Sequence, residues 1–340
     1  MSLEKGTAHT SPDEGVHVIF GTGPVGCSAA KLLLEKGFRV RMVNRTGKRP
    51  DKLLLDTPTD QTARLEIVAA DALDQAQVLA VSKGATHIYH CANVSYELWY
   101  TLLPRLHANL VEAAAANGAV LAVAENLYMY ARGTEVINEA TPETPPSRKG
   151  RLQHDLHASL IDAGRRRGLK WAAVRASDFY GPGALIQSVF GTTRFLDPMF
   201  AGKRPGLLGD PDLAHTYTYV EDYGRALALA ALTPEAHGRA WIVPNDRTLT
   251  STEVARLFFA AAGRGRDVSR IPRFLLAALG LFSPVLRELG EVLYQKEEKY
   301  VVDGSQFASR FGFTPTPLEE GIRRTLEWYR SSLQAVREKG

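Results

Sequence analysis

The chain has 340 residues, 45% of them hydrophobic and 23% charged, a balance that excludes disordered, collagen-like and coiled-coil proteins and suits one large α/β unit or two domains sharing a cleft. Lys and Arg number 41 against 37 Asp and Glu, a formal net charge of +4; the basic clusters at Arg39–Arg49 and Arg165–Arg167 are too short for a nucleic-acid tail and point to a local anionic ligand. Two cysteines, Cys27 and Cys91, exclude a disulfide framework and fit a reducing compartment, so a cytoplasmic protein is expected.

Residues 1–15 are polar and lack an apolar run, which reads as a disordered lead-in and not a secretory signal. From Val16 onward short β-rich runs alternate with longer helical ones, the pattern of βαβ units and a parallel sheet. Strands are expected at Val16–Phe20, Arg39–Val43, Leu65–Ala69, His87–Cys91, Val120–Ala124 and Trp171–Arg175. The helices between them stop at Gly37, Gly84, Gly118 and Gly168, the last after three arginines whose charge suits a helix C-terminus. Beyond Arg175 the order loosens into Gly/Pro-rich stretches with isolated strands at Thr216–Val220 and Ala240–Val243, then helices at Ser251–Ala262 and Leu318–Tyr329. The apolar segment Phe274–Leu293 reads as a core or dimer-packing helix, with the floor of an apolar pocket or a membrane-surface contact as alternatives. Its longest unbroken apolar run, Phe274–Phe282, is nine residues, half of the roughly 18 that a membrane-spanning helix needs, so no integral membrane segment is expected. The fold class is therefore α/β: a Rossmann-type doubly wound parallel sheet over residues 16–180, with a smaller, interleaved C-terminal substrate-binding cap over 181–340 from which some segments return to the core.

The first strand runs directly into Gly21-Thr22-Gly23-Pro24-Val25-Gly26, a G-x-G-x-x-G turn that opens a helix. Gly21 permits the tight turn, Gly23 lets backbone approach a pyrophosphate, and Gly26 lets the helix pack on the strand, while the helix N-terminus faces the anion. An NAD site would place an acid about 20 residues on to hold the ribose 2′-hydroxyl. Here the second strand ends in Asn44 and Arg45, with Lys48 and Arg49 beyond. An amide and a guanidinium suit a 2′-phosphate, so NADP is expected ahead of NAD.

The order of segments resembles the extended short-chain dehydrogenase/reductase family, which includes NAD-dependent epimerases and dehydratases. Its anchors are the Gly turn, Asp71 after the third strand, Cys91-Ala92-Asn93 after the fourth, Asn138-Glu139-Ala140-Thr141-Pro142, Arg175 followed by Phe179-Tyr180-Gly181-Pro182-Gly183, and Tyr219-Val220-Glu221-Asp222. The resemblance implies that Asp71 and Ala72 meet the adenine and that Cys91, Ala92 and Asn93 line the cofactor's path. The chain also departs from the family. Where TGxxGxxG is usual, its first Gly falls on Phe20. The Ser or Thr expected at the end of the fifth strand is replaced by Glu125 or Asn126. No Tyr-x-x-x-Lys pair opens the next helix; one alignment puts Ser147 and Arg151 at those places, and a shift by two puts Lys149 at the lysine.

Without that pair another group must move the proton, or the chain does not carry out standard carbonyl reduction. Tyr128 and Tyr130, on the segment leaving the fifth strand, are candidates for one surrogate acid, and each reads alternatively as a packing aromatic beneath the cofactor. Glu125 can act as a base and Asn126 as a donor to a carbonyl, and Glu125 can instead pair with Lys149 or Arg151. Glu125, Asn126, Tyr130 and Lys149 are thus the catalytic candidates, with Lys149 also a candidate for the nicotinamide ribose. Asp178, His215 and Tyr217 are candidate substrate contacts. His154 and His157 lack the companion ligands of a metal site, and no metal is expected. The expected activity is NADP-dependent oxidation or reduction of a small to medium, partly apolar alcohol or carbonyl. The alternatives are an epimerase or dehydratase that retains its nicotinamide, and a non-catalytic NADP-binding sensor. The expected partner is a small-molecule substrate, with no nucleic acid and with a homodimer left open.

Overall fold

The computed structural model describes residues 15–50, 53–54, 57–185, 188–265, 267–271 and 284–337. Seven parallel strands form the central sheet: β1 (Val16–Phe20), β2 (Val40–Asn44), β3 (Leu65–Ala69), β4 (Ala85–His90), β5 (Val120–Glu125), β6 (Trp171–Arg175) and, from far along the chain, β11 (Arg239–Ile242). Their order is β11-β6-β5-β4-β1-β2-β3. The chain winds outward from β1 in one direction and then restarts at β4 on the other side, so a crevice opens between the C-terminal ends of β1 and β4.

Both faces of such a sheet must be covered, because its strands are apolar on both sides. Ile19, Val40 and Met42 point into a core closed by α1 (Pro24–Glu35) and α7 (Val220–Leu232), with Trp241 and Phe307. Val18, Phe20 and Val43, one residue out of phase, point into a second core with α4 (Trp99–Asn117) and α5 (Arg148–Arg167) through Leu106, Leu110 and Leu160. Helices α1 and α7 touch closely: a Cβ on Gly224 would lie 2.4 Å from that of Ser28. Helices α4 and α5 end on Gly118 and Gly168 in the left-handed conformation, where glycine carries no Cβ penalty.

Beyond the sheet and its covering helices, a third core gathers Tyr180, Phe190, Phe195, Tyr217, Phe258 and Ile322. The strand expected at Thr216–Val220 is split. Ala214–Thr216 (β9) pairs antiparallel with Thr248–Thr250 (β12), and Thr218–Tyr219 (β10) pairs parallel with Phe179–Tyr180 (β7). Helix α7 begins at Val220. The strand expected at Ala240–Val243 is no isolated element: α7 acts as its crossover and it joins the main sheet beside β6, giving seven strands where six were expected. Of the apolar segment, residues 272–283 lie outside the described residues, as do residues 1–14 of the lead-in; Pro284–Gly290 is helical. Among the described residues no helix is long and apolar enough to cross a membrane.

Candidate active site

The C-terminal ends of six strands converge on a cleft of about 770 Å³. At its mouth, Gly21 has φ +105° and a Cβ there would lie 2.6 Å from the Cys91 carbonyl. A Cβ on Gly26 would lie 2.1 Å from the Gly21 oxygen. Gly23 differs, because its side faces open space with nothing within 4 Å. It is also the N-cap of α1, in extended conformation and without a side-chain cap, so the first amides of the helix have no partner from the cap residue. An open glycine in front of free helix amides fits a pyrophosphate. Thr22, Pro24 and Val25 line the same mouth.

Around it lie the other residues expected to meet a dinucleotide: Asn44, Arg45, Asp71, Ala72, Cys91, Ala92 and Asn93 all line the cleft. The Asn44 side chain is committed to the local turn, donating to Lys48 O (2.9 Å) and Thr22 Oγ1 (3.2 Å) and accepting from the Thr46 amide. Arg45 is exposed and makes no hydrogen bond or ion pair among the described residues. Asp71 accepts from the Leu73 amide at 3.0 Å, and Asn93 from the Val94 amide at 2.8 Å.

Deeper in, Glu125 and Asn126 line the cleft but differ in freedom. Glu125 is buried, 2.9 Å from both His157 Nδ1 and Arg175 Nε. Burial opposes its charge, yet His157 and Arg175 outweigh burial and hold the carboxyl at about 2. The ion pair considered for Glu125 with Lys149 or Arg151 is thus made with Arg175, which also reaches Glu143 at 2.7 Å and donates to the Tyr130 hydroxyl at 2.7 Å. Tyr130 stands behind the cleft wall and is no part of its lining. The Asn126 Oδ1 accepts from the Tyr128 amide at 3.0 Å, which leaves its Nδ2 without a partner among the described residues.

Lys149 is also absent from the lining. Its side chain is fully buried, its Nζ pairs with Glu288 and, at 3.1 Å, with Glu291, and it sits over the Tyr96 and Tyr100 rings. Burial disfavours the ammonium, but the two glutamates raise its pKa. Four residues on, the spacing of the missing family pair, Gln153 is 8% exposed, lines the cleft and has no hydrogen bond among the described residues. Ser147 caps α5 through its side chain and Arg151 is exposed. Tyr96, on the loop after β4, lines the cleft with Tyr128, their hydroxyls 2.6 Å apart. Burial, and the nearby Asp178 charge, raise both phenols.

Asp178 lines the cleft; His215 and Tyr217 lie behind it. His215 Nε2 is 2.9 Å from Asp178 Oδ2, which also accepts from Lys296. The Tyr217 hydroxyl bonds Ser251 Oγ at 2.6 Å. Sequence reasoning missed Tyr96, Gln153, Gln295, Lys296 and Tyr300. Only Gln153 carried a signal, since it lies one helical turn beyond Lys149 on the same face. His154 bonds Glu143 at 2.8 Å, and among the described residues no three His, Cys, Asp or Glu side chains are grouped to hold a metal.

Comparison with known proteins agrees with this architecture. The chain is 24% identical over 303 residues to 3beta-hydroxysteroid-dehydrogenase/decarboxylase isoform 2 of Arabidopsis thaliana, covering 78% of this chain but only 52% of that protein, about half its length. It is 25% identical over 300 residues to the 2-alkyl-3-oxoalkanoate reductase of Shewanella oneidensis, covering 76% of this chain and 74% of the relative. In structure it resembles the dTDP-glucose 4,6-dehydratase DesIV of Streptomyces venezuelae, solved with NAD and TYD bound, at a TM-score of 0.75 and 18% identity, over 94% of this chain and 98% of that one. The sequence from residue 17 to 243, β1 through β11, matches the NAD dependent epimerase/dehydratase family. Since that match takes in the whole seven-stranded sheet and every element that lines the dinucleotide end of the cleft, the chain belongs to the NAD dependent epimerase/dehydratase family.

Proposed function

We propose that the chain is an NADP-dependent oxidoreductase that interconverts an apolar carbonyl compound and its alcohol. One observation carries this reading. Among the described residues lining the cleft, Arg45 is the sole Lys or Arg, at the ribose end, and the inner end is built of Val94, Leu98, Trp99, Leu102, Leu103 and Phe179. A sugar nucleotide brings a diphosphate that needs cationic partners, and the cations beside the inner wall, Lys296 next to Asp178 and Arg194 near Tyr96, are not part of its lining. An apolar carbonyl needs none. The names of the Arabidopsis and Shewanella relatives, a hydroxysteroid dehydrogenase and an alkyl oxoalkanoate reductase, support the same choice.

In this reading the Gly21–Gly26 turn and the start of α1 hold the pyrophosphate, Arg45 the 2′-phosphate, and Asp71 and Ala72 the adenine. Bound nicotinamide supplies or takes up the hydride. The free Nδ2 of Asn126 donates to the substrate carbonyl oxygen. Tyr128, bonded to Tyr96, is the proton donor, and its raised pKa keeps it protonated through the neutral range. Residues 16–180 hold the cofactor and also supply the apolar wall of the substrate end, where the chain beyond adds Gln295 and Tyr300.

Fluorescence titration with NADPH and NADH tests the cofactor. We expect wild type to prefer NADPH at least about tenfold and Arg45→Ala to lose that preference; equal affinities in the wild type, or an unchanged preference in the variant, would overturn it. Assay against a panel of apolar ketones tests the chemistry, with Tyr128→Phe expected to cost about 10²–10⁴ in rate. Turnover of sugar nucleotides and of no ketone would overturn the substrate class.

A further inference from the structure

On the inner wall stands a carboxylate, Asp178, that the carbonyl chemistry does not use. Asp178 follows β6, and its backbone oxygen accepts from the Thr218 amide at 2.9 Å, which fixes the loop. Its Oδ2 is taken by His215 and Lys296, and His215 in turn stacks on Tyr300 and lies 3.0 Å from Lys296 Nζ. Oδ1 has no hydrogen bond among the described residues, and the side chain keeps 23% of its surface on a residue that lines the cleft. Around it stand the Tyr96–Tyr128 hydroxyl pair and a wall of Leu98, Leu102 and Phe179.

The charges decide what this acceptor takes. Asp178 and Lys296 form a pair of zero net charge, and burial together with Lys296 keeps His215 neutral, at about 4. The wall therefore offers a strong hydrogen-bond acceptor without a net negative field. An ammonium group gains little there, a carboxylate has no proton to donate to Oδ1, and a plain ketone strips water from Oδ1 and returns nothing. A neutral hydroxyl satisfies it.

We infer that the substrate carries a hydroxyl group close to its carbonyl, donated to Asp178 Oδ1, so that the substrate class is hydroxy ketones or hydroxy aldehydes with an apolar body. This rests on the oxidoreductase reading above and narrows it. A site built around a substrate hydroxyl rejects the analogue that lacks it far more strongly than an apolar pocket rejects a missing methylene.

The probes are benzoin, deoxybenzoin, which lacks the hydroxyl, and benzoin methyl ether, which keeps the oxygen but not the donor. They are titrated calorimetrically into the full chain without cofactor. Benzoin is expected to bind at least about tenfold more tightly than either analogue. In the double variant Asp178→Ala/Lys296→Met, which leaves no unpaired charge behind, the three are expected to bind alike. Equal affinities in the wild type, tight binding of the methyl ether, a preference retained in the variant, or no binding of benzoin would each overturn the inference. The wild-type comparison with the methyl ether decides the matter even where the variant does not fold. NADPH titration of the same protein reports separately on the cofactor: its failure sinks the oxidoreductase reading, and its success beside a failed benzoin preference sinks this inference alone.

Discussion

Gly23 and Gly26 stand three residues apart in one turn and answer to different demands. Gly26 is required by the chain itself, since a Cβ would be pressed to 2.1 Å from the Gly21 carbonyl. Gly23 has an ordinary extended backbone, φ −77°, with open space beside it. Gly26→Ala should therefore lower the melting temperature of the ligand-free protein by several degrees. Gly23→Ala should leave that temperature unchanged and weaken NADPH binding at least about tenfold, because its methyl enters the space a pyrophosphate needs. Melting curves and titrations of the two variants check this; equal melting temperatures, or equal affinities, would show that the division is wrong. The same contrast separates Asn126 from Glu125. Both sit at the end of β5, but one has a free donor and the other spends both oxygens on His157 and Arg175.

At the level of elements, the segment from Pro284 to Tyr300 behaves as a strap along the inner end of the cleft. Gln295 and Tyr300 line the cleft, Val292 packs against Trp99, Leu103 and Tyr128, and charged side chains tie it down: Glu288 and Glu291 to Lys149, Lys296 to Asp178, and Glu298 to Arg132. The Lys149 end is asymmetric. Its ammonium is fully buried, whereas the glutamates keep 26% and 22% of their surface. Removing the glutamates strands a charge inside the protein; removing the lysine lets two carboxylates rehydrate. Glu288→Gln/Glu291→Gln should thus lose about 3–5 kcal/mol, and Lys149→Met clearly less. Urea denaturation measures both, and a larger loss in Lys149→Met would reverse the argument.

The strap also marks where reading the sequence ends. Patterns within a few residues are legible: the Gly turn, strands Val16–Phe20, Leu65–Ala69 and Trp171–Arg175 at their observed limits, and the helix stops at Gly118 and Gly168. They follow from backbone sterics and local periodicity. Lys149 with Glu291, Asp178 with Lys296 and Glu125 with Arg175 are 142, 118 and 50 residues apart. Nothing local distinguishes a lysine that will be buried between glutamates from one that will face solvent. The strand expected at Ala240–Val243 is present, but its place in the main sheet escaped for the same reason, because four residues become a sheet edge only through their neighbour β6.

For the whole molecule, the histidines set the response to acid. His17, His87, His90, His107 and His215 are buried, and chiefly through that burial stay neutral down to about 2, 4, 3, 4 and 4. In the unfolded chain the same imidazoles take up protons below about 6.5. The unfolded state then binds protons that the native state refuses, so stability is full above 6.5 and falls as pH drops toward 4. At pH 5 each histidine costs about 2 kcal/mol, and together they rival the 5–15 kcal/mol of a typical domain. Glu125, held at about 2 in the native state, subtracts further only below about 4.5. The urea midpoint followed by circular dichroism should fall steeply between pH 7 and 5; a flat profile would show that these imidazoles are not buried neutral.

The strap has a consequence for the order of events in synthesis. The glutamates that neutralise Lys149 lie 139 and 142 residues downstream of it. A growing chain can complete strands β1 to β6 and the glycine turn long before those residues exist, and until they arrive the ammonium must stay hydrated. Contacts of such high sequence separation form late. The dinucleotide end of the cleft is therefore the earlier half to mature, and the substrate end is finished when the strap docks.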